Sequence, residues 1–336
     1  MILMKKIIQF SIAIIICVNA MAQDPHYTQF NAVPLTVNPA YTGSFEEDIR
    51  VTGNFRQQWI SSVAPISTTS IQADGKIGYE NSSKQRPISL GILFMNDNSM
   101  KGTFVSNYIS ASASYQITLD KKETQKLSIG LLASYCNRRM DFSNISFQQQ
   151  FASAGYDLSL PNGESALSNM KAYGSISTGL LYNASNIKKT SNFDFGVSVF
   201  HINTPKQSVL KDDKQFLPIR YSLQSNFYRK FESRYTAGIN LLYQNQASVN
   251  YLLMGASIAS KYGDEEDNKI GLGFWYRTKD AASPYLFIDY KKTHLGLSYD
   301  ITTSELKNGA KPLKSFELSL QWKGFRKSKY FKNYLK

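Results

Sequence analysis

The stretch Val105-Ser106-Asn107-Tyr108-Ile109-Ser110-Ala111-Ser112-Ala113-Ser114-Tyr115-Gln116-Ile117-Thr118-Leu119 sorts its side chains onto two sides of an extended chain. Val105, Ile109, Ala111, Ala113, Tyr115, Ile117 and Leu119 fall on one face. Ser106, Ser110, Ser112, Ser114, Gln116 and Thr118 fall on the other. A helix, with about 3.6 residues per turn, would mix the two sets, whereas a strand separates them with a period of two.

The same alternation runs through Phe193, Phe195, Val197 and Val199 and through Tyr235, Ala237, Ile239, Leu241 and Tyr243. It returns in Leu295, Leu297, Tyr299 and Ile301 and in Phe316, Leu318, Leu320 and Trp322. Counted along the chain, the pattern predicts about fourteen strands, over 48–59, 67–76, 87–96, 103–119, 125–137, 170–182, 192–201, 219–231, 234–244, 248–261, 269–278, 283–291, 293–301 and 315–322. The second is only weakly apolar. The tenth is apolar on both faces, with Leu252, Met254 and Ile258 against Val249, Tyr251 and Leu253.

An even-stranded outer-membrane barrel keeps both termini on one side, with short turns there and longer loops opposite. On this count the three longest connections, 138–169, 202–218 and 302–314, all fall at the end away from the termini. Most segments have nine residues or more, enough for a tilted strand to cross the hydrocarbon core. The 21 Tyr, 20 Phe and 3 Trp supply aromatic girdles, with Trp59, Tyr115, Tyr182, Tyr243, Tyr290 and Trp322 near strand ends. The fold expected is therefore an all-β transmembrane antiparallel barrel over 48–322. A soluble sandwich is the alternative, but its strands are usually shorter.

The amino terminus places Lys5 and Lys6 before the apolar run Ile7 to Cys17 and the triplet Ala20, Met21, Ala22. That is the form of a signal peptide over 1–22, cleaved before Gln23, and the run is too short to span a bilayer. Lipoprotein processing at Cys17 is disfavoured by the bulky Ile16 before it. Elsewhere no 18-residue apolar run occurs, and mean hydropathy is −0.31. The mature chain keeps one cysteine, Cys136, in a strand pattern that points to buried packing.

The net charge of +13 is concentrated at the ends. Lys5 and Lys6 leave with the signal, and residues 323–336 form a basic tail holding Lys323, Arg326, Lys327, Lys329, Lys332 and Lys336 with no acid. Nucleic-acid binders concentrate charge on a folded face, so no nucleic-acid partner is expected. Lys121, Lys122, Lys126, Lys188, Lys189, Lys230, Arg234, Lys291 and Lys292 crowd the short turns, where contact with lipid phosphates is favoured over protein docking.

Catalysis needs convergent groups, and His26, His201 and His294 lie in unrelated segments without metal-ligand spacing. The run Asp264, Glu265, Glu266, Asp267 lacks the alternating ligands of a calcium loop. No catalytic residue, metal or cofactor is expected. The inward faces, mostly Ser, Gly, Asn and Gln, show no charged constriction.

Between the signal and the first strand the chain reads Gln23-Asp24-Pro25-His26-Tyr27-Thr28-Gln29-Phe30, then Pro34-Leu35-Thr36-Val37-Asn38-Pro39-Ala40-Tyr41-Thr42-Gly43. Arg50 and Asn54-Phe55-Arg56-Gln57-Gln58-Trp59 follow. Segment 23–47 is too apolar to dangle in water, and is expected to fold into or across the periplasmic mouth, as a plug or a partner-binding element. Pro39 biases Asn38 to an extended form, and Gly43 permits a positive φ.

These motifs resemble the opening signature of the PorP/SprF family, outer-membrane proteins of the type IX secretion system. Thr42 stands where a small Ala is common, and the tail after Trp322 exceeds the family's aromatic end. The resemblance implies an integral outer-membrane protein of a Gram-negative bacterium. It would be required to export or attach a partner with a C-terminal sorting domain, such as a gliding-motility adhesin, together with other secretion components. Tyr27, Phe30, Asn38, Pro39, Ala40, Tyr41, Gly43, Arg56, Gln58 and Trp59 are the candidate partner-binding or plug residues. A channel or small-hydrophobe transporter on the same scaffold is the alternative, since a fold does not fix a function.

Overall fold

The structure, a computed structural model, describes residues 24–62, 64–77, 87–142, 145–153, 155–163, 170–207, 215–232, 234–263, 265, 267–304 and 313–325. The expected signal peptide, the tail beyond Phe325, and Asp264 and Glu266 of the acidic run lie outside the described residues.

The alternating segments form β1 (Ile49–Gln58), β2 (Ile66–Ile77), β3 (Ile88–Ser99), β4 (Phe104–Thr118) and β5 (Gln125–Met140). In the connection after β5 a small hairpin pairs β6 (Phe151–Ala152) with β7 (Gly155–Tyr156). Then come β8 (Tyr173–Ser185), β9 (Ser191–Phe200), β10 (Arg220–Phe231), β11 (Tyr235–Gln246) and β12 (Val249–Lys261). The chain finishes with β13 (Lys269–Arg277), β14 (Ala281–Tyr290), β15 (Thr293–Thr302) and β16 (Lys314–Gly324).

Leaving out the small hairpin, fourteen strands pair antiparallel with their neighbours, and β1 pairs with β16 to close a barrel. Closure removes the two sheet edges, whose unpaired amides and carbonyls could not be left in hydrocarbon. No helix among the described residues is long and apolar enough to cross a membrane.

Burial is inverted relative to a soluble protein. On β4 the outward Ile109 is 54% exposed while the inward Ser112 is 5% exposed. Apolar residues face outward on every strand, because the solvent around the barrel is lipid and alternation puts one set of side chains there. Tyr115, Tyr290 and Trp322 are exposed near the short-turn ends of β4, β14 and β16, where an aromatic girdle belongs.

The longest connections, 141–172, 201–219 and 303–313, share one end, called here the long-loop end. The opposite, short-turn end carries 291–292 and 232–234. The last strand runs two residues beyond the expected boundary at Trp322: Lys323 and Gly324 belong to the barrel and not to a tail. The reason is the closing ladder, where Gly324 lies opposite Ile49 and its carbonyl accepts the Asp48 amide at 3.0 Å.

Leu131 is outward, near the middle of β5, and 57% exposed. Leu131→Arg should destabilise the lipid-embedded barrel by about 2–4 kcal/mol in urea unfolding, while Ile187→Arg in a short turn should cost only about 0–1.

Candidate functional site

Residues 24–48 lie inside the barrel and run its length, from the long-loop end at Asp24 to the short-turn end at Glu46. The segment is built of three single turns of 3-10 helix, Phe30–Ala32, Pro34–Thr36 and Pro39–Tyr41. Pro34 and Pro39 each open a turn, where the missing N–H is no loss. Asn38 is extended (φ −155°, ψ 123°), and its side chain caps the third turn by accepting the Ala40 amide at 2.8 Å. The segment expected to fold into or across a mouth, as a plug or a partner-binding element, reaches further than the mouth. The segment crosses the whole lumen, because apolar and charged partners await it at every level of the wall.

At the long-loop end the partners are charged. The Asp24 carboxylate meets His201 Nε2 at 2.6 Å and Arg220 Nη1 at 3.3 Å, and its amide donates to Gln246 Oε1 at 3.0 Å. Ser175 Oγ lies 2.7 Å from His201 Nδ1, and Ser175, His201 and Arg220 are all buried. Below them Glu317 accepts the Thr28 and Gln29 amides at 2.8 and 3.1 Å. The Thr28 hydroxyl accepts from Arg56 at 2.8 Å and from Arg277 at 3.0 Å, and donates to Asp300 at 3.1 Å. Asp300 pairs with both arginines, at 2.8 Å to Arg56 and 3.0 Å to Arg277, and Arg56 reaches Glu317 at 3.2 Å.

The middle of the segment is apolar and meets apolar wall. Phe30 packs edge-on against Trp275, with ring centroids 5.7 Å apart, in a cluster with Val37, Leu242, Leu253 and Tyr285. Tyr27, Val33 and Leu35 pack on Leu93, and Ala40 and Tyr41 on Leu181. This explains why β12, the tenth strand of the barrel, is apolar on both faces: Met254 faces lipid, while Leu253, fully buried, faces Phe30 and its neighbours.

The Asn38-Pro39-Ala40 turn rests on a bare patch of wall. A Cβ on Gly130 would lie 2.3 Å from the Ala40 nitrogen and the Pro39 carbonyl carbon, and one on Gly179 would lie 2.0 Å from Asn38 Oδ1. Gly196 closes the patch against Asn38 Nδ2. Here the wall must be backbone alone, and Asn38 Nδ2 donates to the wall carbonyls of Leu180 and Val197 at 2.9 and 3.2 Å. Tyr41 donates its hydroxyl to Asp194 at 2.7 Å. At the short-turn end Gly43, at φ +69°, donates its amide to Asp74 at 2.7 Å, and Arg50 binds both Asp74 oxygens and the Tyr41 carbonyl. Glu46 pairs with Lys189 at 2.8 Å across the mouth, and this hydrogen bond holds its carboxyl below the usual range.

Of the ten candidate residues, Tyr27, Phe30, Asn38, Pro39, Ala40, Tyr41, Gly43 and Arg56 come together in this packed lumen. Gln58 and Trp59 stand apart. Gln58 is half-buried at the end of β1, and Trp59, past the strand at φ 55°, uses its amide on Ser315 Oγ. The lumen also departs from the expectation of inward faces without a charged constriction. Arg50, Arg56, Arg138, Arg220, Arg277, Asp74, Asp300 and Glu317 are all buried in it. Arg50 and Arg56 belong to the opening motif, whereas each of the others is a single charge at an inward position, outside any motif. Inward parity combined with charge is the signal that marks them.

A closed barrel with apolar outward faces and strands of nine to sixteen residues is a membrane-spanning β-barrel of the outer-membrane class. The family described as Type IX secretion system membrane protein PorP/SprF matches residues 19–322, and the chain belongs to it. The protein is accordingly an outer-membrane protein. No curated protein matches the sequence. Among solved structures the chain is similar to the toluene transporter TbuX of Ralstonia pickettii (9% identity, 88% of this chain and 94% of that one, TM-score 0.47). It is also similar to the monoaromatic hydrocarbon channel CymD (9% identity, 88% and 93%, TM-score 0.48). A third similarity is to the outer membrane protein Omp33 of Acinetobacter baumannii (9% identity, 83% and 98%, TM-score 0.41).

Replacing Gly130 with Val should displace the Asn38-Pro39-Ala40 turn while the strands still close. The check is a Val33→Cys reporter in a Cys136→Ser background. The reporter, fully buried in the parent, should resist an aqueous maleimide there and react once Gly130→Val is added, with heat-modifiable mobility retained in both.

Proposed function

We propose that this protein is an outer-membrane component of the type IX secretion system whose lumen is kept shut by its own segment 24–48. In that role it serves the export or surface attachment of a partner bearing a C-terminal sorting domain, such as a gliding-motility adhesin. The observation that carries the reading is the filled lumen, fastened by the Asp24–Arg220 ion pair at one end and by the Asp74–Arg50 pair at the other. A barrel filled along its length by buried side chains suits a secretion component that binds proteins better than a free diffusion pore. Burial of Tyr27, Phe30, Asn38 and Tyr41 favours the plug role for these residues over direct contact with a partner. Other secretion components and cargo are then met at the loops and the two mouths.

In this reading the short-turn end is periplasmic, a signal peptide over 1–22 is removed, and the basic residues after Gly324 lie in the periplasm. Ser153→Cys in the long connection should be labelled by an impermeant maleimide on intact cells and Lys292→Cys should not, both in a Cys136→Ser background. The reverse pattern would invert the orientation.

Deleting the protein should block surface delivery of a restricted set of sorting-domain proteins and leave small-solute uptake nearly unchanged. Surface proteomics beside uptake of small hydrophobic solutes measures both. Collapse of uptake with every sorting-domain protein still delivered would replace this reading with that of a channel or small-hydrophobe transporter.

A further inference from the structure

Along the fourteen barrel strands, three outward-facing positions carry a charge, and all three are bases: Arg139, Lys314 and Arg229. Arg139 is the penultimate residue of β5 and Lys314 the first of β16, both at the long-loop end. Arg229 is at the short-turn end and lies deepest, with Lys230 and Phe231 still to follow in β10.

Its surroundings on the outer face are aromatic. Phe227 precedes it and lies opposite Phe193 on β9, while Phe231 follows it and lies opposite Tyr235 on β11. These four rings are each more than a third exposed on the outer surface. The Arg229 guanidinium sits 5.3 Å from the Phe231 centroid, and across the turn the Arg234 guanidinium sits 5.8 Å from that of Tyr235. Neither guanidinium belongs to an ion pair among the described residues.

An outward arginine is tolerated only near the headgroups, where Phe and Tyr girdles also lie, and the anion found there is the lipid phosphate. A guanidinium presents paired N–H groups that match phosphate oxygens two at a time. Here two such forks, each backed by a ring, flank one hairpin. We propose that the outer face of the β10–β11 hairpin binds the phosphate of a membrane phospholipid in the leaflet at the short-turn end. Arg229 and Arg234 supply the hydrogen bonds, and Phe227, Phe231 and Tyr235 line the path of its glycerol and upper acyl chain. The site is independent of the secretion reading and requires only that the barrel be in a membrane.

The test is native mass spectrometry of the detergent-solubilised full chain with phosphatidylglycerol, with a phosphate-free galactolipid of the same acyl chains, and with inorganic phosphate. The expected result is selective retention of phosphatidylglycerol, reduced at least about tenfold by Arg229→Gln with Arg234→Gln, since charge-assisted bonds to phosphate are removed. Arg229→Lys with Arg234→Lys, which keeps the charge and loses the forks, should fall between. Lys121→Gln with Lys122→Gln, in a different short turn, should bind as the parent does. Heat-modifiable mobility checks folding, and if the double glutamine variant does not fold, Arg234→Gln alone, at the turn, carries the comparison. Undiminished retention by the glutamine variant overturns the proposal, as does equal retention of the galactolipid, which would assign binding to the apolar belt. Displacement of the lipid by inorganic phosphate would also overturn it, marking a site for the free ion.

Discussion

Thr28 sits where five consecutive strands meet around a cluster of four charges. Arg277 comes from β13, Asp300 from β15, Glu317 from β16 and Arg56 from β1, with Ser283 of β14 donating to Asp300 at 2.6 Å. Two arginines and two carboxylates balance, and each is buried beyond the reach of bulk water. Buried ions are costly unless every one is paired and hydrogen-bonded, and breaking such a group by removing one member costs about 3–5 kcal/mol. The Thr28 hydroxyl and the Thr28 and Gln29 amides complete the pairing. Without them Glu317 would lose two donors and both arginines one acceptor. The cluster also straddles the β1–β16 closure, so the inner segment and the barrel seam hold each other in place.

The rest of the lumen follows from filling it. Serine, asparagine and glutamine on the inner faces would suit a watery channel equally well, yet here they are buried because a chain segment takes the place of water. Where the segment is apolar the wall is apolar, as at Trp275, Leu253 and Leu93. Where it must approach most closely, the wall is glycine. The complementarity runs from the Asp24 anchor to Gly43, with wall contacts at each level. That continuity is why the segment reads as part of the folded barrel and not as an appendage. It also bears on function, since the family's opening motif is here a set of wall contacts.

The outer surface obeys a different constraint. Facing lipid, the strands carry no acids and only the three bases noted, each near an end, while the mouths and turns hold the remaining charge. Charge is thus separated by depth: mostly paired inside the lumen, absent across the hydrocarbon and, on the lipid-facing side, basic near the ends. A barrel in a membrane has two solvents, and this sequence is written for both.

Period-two alternation, read from the sequence alone, determined the number of strands, their direction and the end at which the long loops lie. It could do so because lipid imposes the same demand on every outward residue, so the signal is local and repeats. The Asn38-Pro39-Ala40 turn was equally legible, since proline and the capping asparagine act within a few residues. The path of segment 24–48 was not. Whether Tyr27, Phe30 and Tyr41 close a mouth or fill a lumen depends on partners far along the chain, such as Leu93, Trp275 and Asp194. Isolated charges such as Asp300 and Glu317 acquire meaning only when closure places them beside Arg56 and Arg277. Tertiary structure alone decided that, because electrostatic pairing and close packing depend on distance in space, and the sequence records only distance along the chain.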